Sequence, residues 1–219
     1  MADTYRNFGD LAAHEKENSD FRVRSEQRPG AIAVIAPHGG GIEPGTSELA
    51  EAIAGADLSF YAFEGLKRNG NGILHITSSR FDEPKAVVLV SASPLVVALH
   101  GELDCRDQVA FLGGLDQGLR KLVHAELQAA GFLVRIHDNT YLQRVENSNI
   151  CNRGQSGKGV QLELSQPLRR SCFPSFDRKG REQRTAMGDR FVEAMRRALL
   201  RDDRGRIVTE GYAKPPKAV

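Results

Sequence analysis

Residues 31–36, Ala-Ile-Ala-Val-Ile-Ala, form an unbroken apolar run that leads into Pro37-His38-Gly39-Gly40-Gly41-Ile42-Glu43-Pro44-Gly45-Thr46. The run follows a turn signal, Arg28-Pro29-Gly30, and its pattern predicts a strand buried on both faces. Thr46 or Ser47 can cap a helix directly after the loop, with Glu48 and Glu51 near its positive end, and that helix is expected to reach about Ala54. Buried strand, glycine-rich loop and capped helix in immediate succession are the unit from which α/β folds are built.

The pattern continues in both directions. Upstream, Tyr5–Asn18 reads as a short helix, and Phe21–Glu26 alternates apolar and charged residues as an edge strand does. Downstream, Leu58–Phe63 reads as a strand, Gly70-Asn71-Gly72 as a turn and Ile73–Thr77 as another strand. Asp82–Ala92 is compatible with a strand through Val87–Val90, but Pro84 early in the segment favours a short helix. Leu95–Leu99 and Phe132–Ile136 are two more apolar strands. Between them, Leu115, Leu119, Leu122, Val123 and Leu127 mark a helix over Gly114–Ala130, closed by Gly131. Asn147–Gly159 reads as a loop. Val160–Ser165 alternates as a strand, and Gln183–Leu200 is a helix with Phe191, Met195 and Leu199 on one stripe. Tyr212–Val219 reads as a frayed tail, and flexibility is expected from about residue 208. The expected architecture is α/β: a single domain over residues 1–219 with a mixed, largely parallel sheet flanked by helices.

Composition agrees with one globular core. The chain has 219 residues, 40% of them hydrophobic and 26% charged, which disfavours global disorder. Its 30 Lys and Arg nearly balance 28 Asp and Glu, for a net charge of +2, so nucleic acid is not expected as the main partner. Cys105, Cys151 and Cys172 show no CxxC spacing and cannot all pair within the chain, against a disulfide framework or a zinc knuckle. Met1–Asp20 is polar, and no run approaches the roughly 18 apolar residues of a membrane span. The expectation is a soluble, cytoplasmic protein with no membrane partner, released at most by lysis.

The chemistry-bearing residues collect where strands end. His38, His100 and His137 each follow an apolar strand, and ligands of open α/β sheets bind outside the carboxyl ends of strands. The glycines after His38 let the backbone bend sharply, so His38 and Glu43 can converge on one ion, with His100 arriving from a second strand end. A catalytic zinc takes three N/O protein ligands and keeps an open position. With no thiolate in the set, zinc or another imidazole-plus-carboxylate metal fits. The competing reading is an anion-binding turn before a helix, although the loop lacks the P-loop lysine and the dinucleotide fingerprint. Glu48 or Glu51 could replace Glu43 if the loop folds differently. His137 is a further candidate for hydrogen-bonding support or ligation, and His75 for hydrogen-bonding support.

The segment His38-Gly-Gly-Gly-Ile-Glu43-Pro-Gly-Thr-Ser-Glu-Leu-Ala resembles the signature of the poly-γ-glutamate hydrolase family, which includes phage enzymes and bacterial homologues once labelled phage-related replication proteins. The resemblance continues through His75-Ile-Thr-Ser, Phe81-Asp-Glu-Pro, Val97-Ala-Leu-His100-Gly, Asn152-Arg153-Gly and Gly159-Val-Gln-Leu-Glu163-Leu-Ser165, and so spans about Ala31 to Arg170. It implies a zinc hydrolase of γ-glutamyl amide bonds with a fold similar to the metallocarboxypeptidases. By motif match, His38, Glu43 and His100 would hold the zinc and Glu163 would be the general base. Asn152-Arg153 resembles the Asn-Arg pair with which carboxypeptidases hold a substrate carboxylate, and an arginine can grip a carboxylate through a two-point fork. Glu163 shares its strand face with Gln161 and Ser165.

An acidic polymer or other γ-glutamyl compound is therefore the expected partner. Leu168–Arg206, with 12 Lys and Arg against 6 Asp and Glu, could form a basic rim for it. The alternatives are an amidase for another acidic N-acyl or peptide substrate, and a phage-associated nucleic-acid-binding protein.

Overall fold

A computed structural model of the chain describes residues 3–103, 105–136 and 145–200. Seven strands form one mixed sheet: β1 (Phe21–Glu26), β2 (Ile32–Gly40), β3 (Ser59–Gly65), β4 (Leu95–Glu102), β5 (Val109–Gly113), β6 (Leu133–Ile136) and β7 (Gly159–Ser165), in the spatial order β1-β3-β2-β4-β7-β5-β6. The four central strands β3, β2, β4 and β7 are parallel. β1 runs antiparallel to β3, and β5 antiparallel to β7. The expected α/β class and mixed, largely parallel sheet are what the structure shows.

Alternation in the buried strands sorts side chains into two cores. Val34 and Ala36 of β2, Val97 and Leu99 of β4, and Leu162 and Leu164 of β7 face helices α2 (Thr46–Ala54), α4 (Gln117–Ala129) and α6 (Ala186–Leu199). Ala33 and Ile35, Tyr61 and Phe63, and Val96 and Ala98 face the other way. There they meet Leu11 of α1 (Phe8–Ala12) and Ala86, Leu89 and Val90 of α3 (Pro84–Ala92). A period of two in sequence thus supplies both layers at once.

Local chemistry starts and stops the helices. Gly45, at φ +96°, turns the chain into α2, and a Cβ there would lie 2.9 Å from the Phe173 ring. Asp116 caps α4 and Thr185 caps α6 through their side-chain oxygens. The ambiguous stretch before residue 92 is helical: Pro84 opens α3, and Glu83 caps it by accepting from the Ala86 N–H at 2.8 Å.

Other sequence expectations change. Ile73–Thr77 is not a strand; a 3₁₀ turn covers Asn71–Leu74. Leu74 and Ile76 do point into the core, but the segment packs its side chains there without joining the sheet, and both sides of the preceding strand β3 are taken by β1 and β2. The first helix is shorter than Tyr5–Asn18. Strand β5 and the short helix α5 (Gln166–Ser171) carried no clear periodicity. β6 is an outer strand with Leu133 and Ile136 exposed, not a strand buried on both faces. The tail beyond residue 200 lies outside the described residues. Among the described residues no helix is long and apolar enough to cross a membrane.

From β2 the chain crosses through α2 to β3 on one side, then through α3 to β4 on the other. This reversal opens a crevice at the carboxyl ends of β2 and β4. Leu162, fully buried in the central β7, anchors the helix-covered core. Leu162→Ala is expected to cost about 2–5 kcal/mol, measured as a lower urea midpoint with an unchanged m-value.

Candidate metal centre

His100 and Glu163 are direct neighbours in the β4–β7 ladder, so their side chains leave the sheet on the same face, that of Val96 and Ala98. His38 would leave on the opposite face if β2 kept its alternation past Ala36. It does not: the pairing with β3 slips by one residue between Ala36 and Gly39. This bulge turns His38 toward Ile76 and Phe81, on the face of His100. Bulges beside sites often re-aim a side chain in this way.

Three groups then meet in a buried space. His38 Nδ1 lies 3.0 Å from His100 Nδ1 and 3.2 Å from Glu43 Oε1, and His100 Nδ1 lies 3.6 Å from Glu43 Oε2. His38 Nε2 is 2.8 Å from the Ile76 carbonyl oxygen. Since a carbonyl only accepts, that bond places the ring proton on Nε2 and leaves Nδ1 as a lone pair. That lone pair can accept the His100 Nδ1 proton across 3.0 Å, or a metal ion can take the proton's place among the three groups. Burial works against charge on His38, but the Glu43 carboxylate outweighs it and raises the His38 pKa. Burial likewise pushes Glu43 up, yet His38 and His100 hold it well below the usual carboxylate range. His100 is lowered, chiefly by burial.

The separations suit a metal as well as a proton. Tetrahedral donors 2.0–2.1 Å from an ion stand about 3.3 Å apart, and this donor set spans 3.0–3.6 Å. Two imidazoles and a carboxylate form a donor set that zinc accepts. His75 also brings a ligand atom within 4.8 Å of His38 and Glu43. His75 Nδ1, however, is engaged by Asp3 Oδ1 at 2.7 Å. The closer set is therefore His38, Glu43 and His100.

The model of the poly-γ-glutamate hydrolase family matches residues 5–194. This chain belongs to that family. It is 38% identical over 192 residues to the UPF0714 protein YndL of Bacillus subtilis (strain 168), covering 87% of this chain and 74% of that one. Among solved structures, it is similar to a bacteriophage poly-γ-glutamate hydrolase, with TM-score 0.84, 35% identity, and 90% and 96% of the two chains covered. It is also similar to a structure described as YNDL-apo (Zinc-free), with TM-score 0.86, 37% identity, and 90% and 98% covered.

In this hydrolase, the loop carrying Glu43 is tied down from several sides. The Gly101 N–H donates to Glu43 Oε2 at 2.8 Å, and Thr46 Oγ1 donates to the Glu43 carbonyl at 2.8 Å. Arg169, with no exposed surface, donates to the carbonyls of Leu164 (3.0 Å), Pro44 (2.6 Å) and Glu102 (3.3 Å). One guanidinium thus joins the ends of β7 and β4 to the loop that carries Glu43. Gly101 makes room for it: a Cβ there would sit 2.6 Å from Arg169 Cζ. Burial lowers the Arg169 pKa, opposed by Glu43 and Glu163. Sequence reasoning counted Arg169 in a basic rim, and nothing in Leu168-Arg169-Arg170 separates the buried arginine from its neighbour. Much of that local excess is used within the fold. Arg181 pairs with Glu48 at 2.7 Å and Arg197 with Glu126 at 2.9 Å, and Arg196 pairs with Asp57.

The other expected residues divide. Glu48 and Glu51 pair with Arg181 and Arg24 and stay out of the cluster. The Asn152 carboxamide serves the fold. Its Oδ1 accepts from the Leu115 and Gly159 N–H groups at 3.2 and 3.1 Å, and its Nδ2 donates to the Glu146 carbonyl at 2.9 Å. This places it at the amino end of β7, away from Glu163. Arg153 is half-buried behind Phe81, whose carbonyl it contacts, and its buried Nε has no acceptor among the described residues. The strand before His137 is parallel to β5 and so opposes β2 and β4, which puts its carboxyl end at the other edge of the sheet. His137 itself lies outside the described residues.

Asp3 was not anticipated. Buried beneath the ring that stacks on His38, it binds His75, the Thr77 N–H at 2.8 Å and Arg80. Burial pushes its carboxyl up, but Thr77 and His75 outweigh this and hold it below the ordinary 3.8. His75 is pushed down to about 4, by burial and then by His38.

Two outcomes are expected. Arg169→Met should cost about 3 kcal/mol, or roughly 6–12 °C in Tm, because three carbonyls lose their donor; thermal melts measure this. The Asp3 contribution exists above its unfolded pKa and disappears as pH falls through its lower folded value. Asp3→Asn should therefore weaken the protein at neutral pH, with the gap to wild type closing in acid, read from urea midpoints across that range.

Proposed function

We propose that this hydrolase holds one zinc ion at His38, Glu43 and His100 and cleaves γ-glutamyl amide bonds of poly-γ-glutamate, with Glu163 as general base. The observation that carries the reading is the convergence of three buried donors 3.0–3.6 Å apart with Glu163 beside His100 in the sheet. The zinc-free description of the YndL structure supports the choice of metal. A bound zinc would supply Lewis acidity toward the scissile carbonyl and the attacking water.

The protein supplies the rest. His38 and His100 offer neutral nitrogens, and Glu43 balances positive charge in a space with little water. Glu163, on the adjacent strand, accepts the proton of the attacking water and returns it to the departing amine. Arg153 has a buried N–H to offer, which suits a pendant carboxylate of an acidic polymer. Asn152 acts through the shape of the loop that carries Arg153.

Elemental analysis is expected to find about one zinc per chain, and chelation should abolish release of amines from poly-γ-glutamate until zinc is restored. Glu163→Gln should keep the zinc while kcat falls about 10²–10⁴-fold, whereas His100→Ala should lose the metal. A metal-loaded protein inactive on poly-γ-glutamate but active on other acidic N-acyl or peptide amides would move the substrate assignment. A metal-free protein with full activity would end the proposal.

A further inference from the structure

The carboxylate of Glu163 ends a hydrogen-bonded series that starts at the main chain. The Cys151 N–H donates to Asn149 Oδ1 at 3.0 Å. A main-chain N–H can only donate, so this bond fixes which end of the Asn149 carboxamide faces inward. Asn149 Nδ2 then donates to Gln161 Oε1 at 3.0 Å. Gln161 is left with its Nε2, which donates to Glu163 Oε1 at 2.8 Å. Each amide is oriented by the one before it, and neither can flip without setting donor against donor or acceptor against acceptor. Asn149 and Gln161 are each 1% exposed and Glu163 6%, so water has little access with which to repair a broken link.

The strand makes the last step possible. Gln161 and Glu163 are two residues apart on β7, so their side chains stand on the same face. The intervening Leu162 points into the helix-covered core. Asn149 comes from the loop before β7, at the start of a 3₁₀ turn over Ile150–Asn152. That turn directly precedes Arg153.

We propose that Gln161 and Asn149 are positioning residues for Glu163: the amide series holds one oxygen of the carboxylate and keeps the group in a single orientation beside His100. This rests on the reading of Glu163 as general base. A base must stand within hydrogen-bond reach of the proton it takes, and small displacements are costly to the rate. The loop of residues 149–152 thereby acquires a part in the reaction through Glu163.

The test compares Gln161→Met, Glu163→Gln and the double variant on the zinc-loaded full chain, with kcat, KM, zinc content and melting temperature measured for each. Q161M keeps the side-chain length and removes the carboxamide, both its acceptor oxygen and its donor nitrogen. It is expected to lower kcat about 10–100-fold, with KM within about twofold and zinc retained. Added to E163Q, it should lower kcat by less than about twofold, because no base remains to orient. Asn149→Ala should give a smaller loss that is likewise absent in the E163Q background. Should Q161M fail to fold, Asn149→Ala, altered in a loop, takes its place with the same two outcomes. A kcat near wild type in the single variant, or an undiminished loss in the E163Q background, overturns the proposal. An impaired E163Q with an unimpaired Q161M refutes this inference alone, whereas a fully active E163Q removes the general base and this inference together.

Discussion

Three groups that accept protons or metals, packed where almost no water reaches, set the terms for the rest of the molecule. His38, Glu43 and His100 stand 3.0–3.6 Å apart, with His38 1% and His100 2% exposed. Taking a carboxylate out of water costs several kcal/mol unless it is compensated. Two imidazoles and the Gly101 N–H compensate it here. Such a centre depends on each group keeping its partners, which explains how much of the surrounding structure is fastened to it.

The fastening is distributed. A one-residue slip in β2 turns His38 to the face of His100, the β4 register places His100 beside Glu163, and the Glu43 N–H, donating to the His38 carbonyl at 2.8 Å, folds the loop back toward His38. Arg169 then joins three backbone segments through carbonyl acceptors. A guanidinium suits this task because its donors diverge in a rigid plane. It also brings a buried positive charge near two carboxylates without forming a close ion pair with either. Support for Glu163 is of another kind, built from neutral amides whose direction is inherited from a main-chain N–H. The His38–Glu43–His100 cluster and Glu163 thus rest on separate hydrogen-bonded frames, which meet where β4 and β7 lie side by side.

The same alternation that buries the sheet delivers the site. Along β4, residues 97 and 99 feed one core and 96 and 98 the other, and His100 continues the second series beyond its apolar end. Gln161 and Glu163 do likewise on β7. The helix-covered face carries stability, and the opposite face passes from core to chemistry at its carboxyl edge.

By itself the sequence was enough to establish the α/β class, the strands around residues 31–36, 95–99 and 160–165, the glycine-rich loop ahead of a helix, and the family, although Gly45 rather than Thr46 or Ser47 caps that helix. These are local signals: periodicity, turn residues and a contiguous motif. The convergence of His38, Glu43 and His100 was an expectation there, and the coordinates bring those residues together. Strand direction and strand neighbours lay out of reach, because backbone pairing is chosen by partners distant in the chain and leaves no mark in either partner's own pattern. For that reason only the tertiary structure could place the end of β6 at the opposite edge from His38, deny Ile73–Thr77 a place in the sheet, commit Asn152 to the loop and bury Arg169 while leaving the neighbouring arginine outside.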